Sequence, residues 1–218
     1  MKGSIRLLGA GALCAALLVC LPALAGAGIN ITSCTDVLAP GTYTKVVVPA
    51  GAACLSDGPV NIRAGLFIEQ GATFVLGSEE NPGNNGAING GVHATNPASV
   101  QIHFATINGG LDVHGGSGPF GGPFGITFNA IEDNVINGGA TVDGYTGYWF
   151  GFIRNTVNGG VNLNNNVSTE DPDSNEYVTN TINGGLHCSG NSPAPQVGDS
   201  EGSPNKVNGG KTGQCANL

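Results

Sequence analysis

One tetrapeptide pattern restricts the fold of this 218-residue chain more than any other feature. [Ile/Val]-Asn-Gly-Gly occurs six times, beginning at Ile88, Ile107, Ile136, Val157, Ile182 and Val207. The steps between copies are 19, 29, 21, 25 and 25 residues, and in four copies a second Asn stands two places earlier, at Asn134, Asn155, Asn180 and Asn205. A period in the twenties with strand-like filling marks a solenoid, in which each coil buries its apolar side only by stacking on its neighbours. Composition excludes the competing classes. The 38 Gly and 24 Asn oppose a helical domain, since both residues are poor in helix interiors. The glycines lack the every-third-residue spacing of collagen, and an apolar content of 40% is too high for a disordered chain.

Aligning the copies separates inward from outward side chains. Counting from each Ile/Val, the fourth following residue is Val92, Leu111, Ala140, Val161 and Leu186, and the sixth is Ala94, Val113, Val142, Leu163 and Cys188. Between and after them come His93, Asp112, Thr141, Asn162 and His187, then Thr95, His114, Asp143, Asn164 and Ser189. This alternation is that of a strand with one face buried and one wet. The reading is an all-β, right-handed, single-stranded parallel β-helix with three short strands per coil. The paired glycines serve turn conformations, and Asn at equivalent turns stacks into amide ladders along the axis.

The first residues form a basic, an apolar and a small-x-small region: Lys2 and Arg6, then Leu7 to Leu21, then Ala23-Leu24-Ala25. This reads as a secretory signal spanning residues 1–25, with a single β-helix domain over 26–218 and no membrane attachment after cleavage. Within that domain, 26–58 reads as an N-terminal cap, 59–187 as coils and 188–218 as a C-terminal cap. Without residues 1–25 the chain keeps five basic against 15 acidic side chains, which argues against nucleic acid as a partner. Four cysteines remain, an even number suited to an oxidising compartment. Stacked coils favour contacts between sequence neighbours, so the expected pairs are Cys34 with Cys54 and Cys188 with Cys215.

The run from Cys34 through Pro40-Gly41-Thr42-Tyr43 and Val46-Val47-Val48 to Cys54, with Cys188-Ser189-Gly190-Asn191 and Gly213-Gln214-Cys215 at the other end, resembles secreted bacterial right-handed β-helix proteins. Those proteins mostly lack an assigned activity. The resemblance implies fold and export, and no catalytic residue.

Three features carry candidate chemistry. His93, Asp112, His114 and Asp143 occupy two adjacent outward columns on three successive coils, a set that suits a divalent metal or acid/base work on a sugar. The same columns also read as a solvated sheet face. Eight of 13 aromatic residues fall between positions 120 and 152, among them Phe120, Phe124, Tyr145, Tyr148 and Trp149. Such rings suit carbohydrate stacking, whereas Phe128, Phe150 and Phe152 read as core. The acidic stretch Glu170 to Glu176 departs from a calcium loop, with Glu176 in place of Gly, and reads as a solvated surface turn. The functional expectation is a secreted, non-catalytic structural or adhesive protein of the extracellular space or cell envelope. It contacts a polysaccharide or cell-envelope glycan through Tyr145, Tyr148, Trp149, Phe120 and Phe124 and uses no cofactor. The alternative is a polysaccharide hydrolase or lyase using Asp112 and Asp143 with His114, and His93, Asp112, His114 and Asp143 as metal ligands.

Overall fold

The computed structural model describes residues 30–118, 123–125, 129–169, 174–197 and 202–218, and in them the chain is an all-β parallel solenoid. Short strands fall in rotation onto three sheets. The first has nine strands from Ile31–Ser33 to Lys211–Gly213, the second seven from Val37–Leu38 to Glu176–Val178, and the third eight from Gly41–Tyr43 to Lys206–Val207. The signal segment read at 1–25 lies outside the described residues, as does Phe120. Among the described residues no helix is long and apolar enough to cross a membrane.

The register follows the alignment of the copies. Val92 pairs with Leu111, Leu111 with Ala140, Ala140 with Val161 and Val161 with Leu186, so the fourth-position column runs unbroken up the first sheet. Both apolar columns are buried throughout. In the third sheet Ile62, Ile88, Ile107, Ile136, Val157 and Ile182 stack with nothing exposed, which is the reason the tetrapeptide opens on a branched apolar residue. Each such side chain contributes about 1.5–3 kcal/mol on burial, and only stacking on the next coil provides it.

Two kinds of corner residue connect the sheets. Phe104, Asp133, Arg154 and Thr179 end equivalent second-sheet strands in left-handed conformation, with φ from 54° to 59°. The Asn that follows in three of them turns inward. Asn134, Asn155, Asn180 and Asn205 form a buried ladder whose Nδ2 to Oδ1 spacings are 3.1, 3.1 and 2.8 Å, each amide also donating to a carbonyl such as Ile131 O or Phe152 O. A second ladder runs along the tetrapeptide asparagines, Asn89 to Asn208, with spacings of 2.7–2.8 Å at the surface. Both ladders realise the stacking expected of Asn at repeated turns.

The glycine pairs divide in their role. Gly90, Gly91, Gly109 and Gly110 do take φ values between 82° and 112°. In the fourth and fifth copies the requirement is space, since Gly184 has no positive φ but a Cβ on it would overlap the Gly159 carbonyl of the coil below. The disulfides pair Cys34 with Cys54 and Cys188 with Cys215, at Cα separations of 5.6 and 5.3 Å, and staple the two ends. They match an oxidising, non-cytoplasmic compartment.

Candidate functional site

The four residues of the expected patch lie on the outer face of the first sheet in the anticipated register, His93 beside Asp112 and His114 beside Asp143. The face is open. His114 Nε2 is 3.6 Å from Asp112 Oδ1, with both side chains more than half exposed. His93 stacks on Phe67 with ring centroids 5.0 Å apart and contacts the Gly90 carbonyl, while Asp143 accepts a hydrogen bond from Asn165 at 2.8 Å. Among the described residues, these four do not bring three ligand atoms within 4.8 Å of one another.

The aromatic residues divide between core and surface. Tyr145, expected among the glycan-contacting rings, is fully buried: it packs edge-on to Phe150 at 6.2 Å, and Phe150 in turn to Tyr177 at 5.2 Å. Its position after the Gly144 corner turns it into the coil, where an apolar ring fills the space between the first and second sheets. Phe150 and Phe152 are core as read, and Phe124 is exposed. The acidic stretch also differs from its reading, because Ser174, Asn175 and Glu176 are buried. Asn175 donates to Pro193 O at 2.9 Å and accepts from Ser168, so this segment ties the coil to the C-terminal region. Residues 170–173 lie outside the described residues.

Tyr148 and Trp149 line a cleft of about 500 Å3 on the outer face of the second sheet. Its other walls are Ser78, Glu79, Glu80, Gln101, His103, Ala130 and Glu132. Two segments outside the three main sheets raise these walls, the second containing the short strand Thr146–Gly147 that pairs with Val167–Ser168. Residues 77–85 follow the strand Thr73–Leu76 and carry the acidic pair, and residues 144–149 precede the strand Phe150–Ile153 and carry the aromatic pair. The sheet beneath is kept low by small residues. Ala130 pairs with Gly151, and the Trp149 ring occupies the space that a Cβ on Gly151 would take.

At one side of the cleft, neighbouring strands set His103 beside Glu132, with Nδ1 3.9 Å from Oε2. Arg154, from the corner of the next coil, forks onto Asp133 through Nε and Nη2 at 2.8 and 2.9 Å. Its Nη2 also donates to Glu132 Oε2 at 3.0 Å and to Glu79. Burial pushes the Glu132 carboxyl up to about 7; Arg154 opposes the rise, and the charges of Glu79 and Asp133 add to it. Burial also lowers the His103 pKa, against the pull of Asp133 and Glu79, which favours the neutral ring. His103 is 5% exposed, and its Nδ1 has no hydrogen-bond partner among the described residues.

The forward alignment from each tetrapeptide, which exposes the first sheet, missed this constellation. Counting four places backward aligns His103, Glu132, Ile153 and Val178, and three places backward aligns Phe104, Asp133, Arg154 and Thr179. That signal was present in the sequence, whereas Glu79, 75 residues from Arg154, sits in a segment outside the repeat. No family model, no curated protein and no solved structure matches the chain.

Proposed function

We propose that the protein is an exported, non-catalytic structural or adhesive solenoid that contacts polysaccharide, such as a cell-envelope glycan, in the cleft of the second sheet. The observation that carries this reading is the pairing of Tyr148 and Trp149 with Gln101, His103 and Glu132 around one cavity of about 500 Å3. Flat rings cover the apolar faces of a sugar, and amide, imidazole and carboxylate groups meet its hydroxyls. Export agrees with the basic-apolar-small start of the chain and with the two disulfides.

Binding of the purified protein to a panel of soluble and insoluble polysaccharides tests the reading. A ligand is expected for the wild type, with Trp149→Ala weakening it at least about tenfold, as truncation of a central aromatic contact does. Asp112→Ala, on the other face, is expected to leave it unchanged. No binding across the panel, or equal binding by Trp149→Ala, overturns the proposal. Release of sugar products that disappears in Asp112→Ala and Asp143→Ala would instead establish the hydrolase or lyase alternative.

A further inference from the structure

We propose that His103, Glu132 and Asp133 form a binding site for one divalent transition-metal ion at the side of the cleft. One ligand atom from each lies within 4.8 Å of the other two, a set brought together by the His103 to Glu132 strand pairing and the left-handed corner at Asp133. Metal bonds of about 2.0–2.2 Å need ligand atoms somewhat closer than this, a contraction within reach of side-chain rotation.

A second, independent observation comes from His103 itself. Its ring is nine-tenths buried and its Nδ1 is unpartnered among the described residues, although an unsatisfied buried polar atom costs about 1–3 kcal/mol. The same nitrogen faces the Glu132 carboxylate. A buried ring nitrogen held in this way toward the Glu132 carboxylate, with Asp133 completing the cluster, is the arrangement of a metal ligand.

Charge points the same way. Glu79, Glu132 and Asp133 converge on Arg154, the one cation among them, so three carboxylates face a single guanidinium. Arg154 does not exhaust their acceptors, because each carboxylate oxygen offers two lone-pair sites. Its fork onto Asp133 instead holds that carboxylate in place, as outer-shell partners of metal ligands do. The mix of imidazole and carboxylate favours Zn2+ or Mn2+ over Ca2+ or Mg2+, which prefer all-oxygen shells. Three protein ligands leave a coordination position open, and His103 and Glu132 line the cleft beside it.

Full-length mature protein stripped with chelator and titrated calorimetrically with Zn2+ provides the test, with Co2+ absorption as a second readout. One site per chain is expected. His103→Gln and Glu132→Gln are expected to weaken it at least about tenfold, since loss of even an outer-shell partner costs about 10–100-fold. His114→Ala, on the first-sheet face, is expected to bind as wild type does. Far-UV circular dichroism and thermal unfolding of each variant separate loss of a ligand from loss of fold, and Asp133→Asn supplies a third variant should one fail to fold. Absence of Zn2+ binding overturns the proposal. So does wild-type affinity in folded His103→Gln and Glu132→Gln, or loss of the site in His114→Ala. No polysaccharide enters this experiment, so its outcome is independent of the glycan reading.

Discussion

The outer faces of the first and second sheets are built by the same stacking rule and end up with different chemical capacity. On the first, four ionisable residues stand in register, more than half exposed where His114 meets Asp112, and two of them, His93 and Asp112, line a depression of about 210 Å3. On the second, His103 and Glu132 stand in an equally regular register but are buried, beside a cleft of about 500 Å3. Strand pairing aligns side chains in columns on both. Only on the second do residues 77–85 and 144–149 rise beside the columns and exclude water from them. Proximity in a column therefore does not make a site. Low dielectric around the column changes the strength of its interactions and the protonation of its members.

The contrast is open to direct attack. Arg154→Ala should have the largest effect on stability. It removes the only guanidinium or ammonium paired with Glu79, Glu132 and Asp133 among the described residues, leaves Glu132 uncompensated in a buried position, and is expected to cost about 3 kcal/mol in denaturant unfolding. A loss below about 1 kcal/mol would mean that water reaches the second-sheet site as freely as the first.

The two asparagine ladders separate burial from hydrogen-bond count. Asn155→Ala removes a buried amide and strips the acceptor from Asn134 N and Nδ2, with an expected cost of about 2 kcal/mol. Asn158→Ala in the surface ladder, where water replaces the lost partner, is expected to cost about 0.5 kcal/mol. Equal losses in the two variants would show that ladder continuity, and not burial, sets the stability.

Gly151→Val tests whether the low floor shapes the cleft. The new side chain displaces the Trp149 ring, so a cost of about 1 kcal/mol is expected, together with at least a tenfold loss of polysaccharide affinity. Unchanged affinity would place the contact surface elsewhere. The smallest effect belongs to the first sheet. His114→Ala breaks a solvent-exposed contact with Asp112 and should change stability by no more than about 0.5 kcal/mol. A cost matching that of Arg154→Ala would erase the distinction between the two faces.

Much of this architecture is legible in the residues alone, and the reason is periodicity. A coil that can bury its apolar side only against another coil must repeat its pattern, so the columns headed by Val92 and Ala94, the tetrapeptide ladder from Asn89 to Asn208 and the pairing of Cys34 with Cys54 all follow from spacing. The backward alignment carries His103 beside Glu132 and Asp133 beside Arg154 in the same manner. Tertiary structure decided what no period encodes. Tyr145 and Tyr148 are three residues apart in one aromatic run, yet one fills the core and the other lines the cleft, because the chain turns between them. Glu79 joins Arg154 across 75 residues through a segment that interrupts the repeat. A repeating sequence determines which residues share a column, since every coil must place its apolar positions against those of the next. The depth, dielectric and chemistry of a column depend on the non-repeating segments that fold over it.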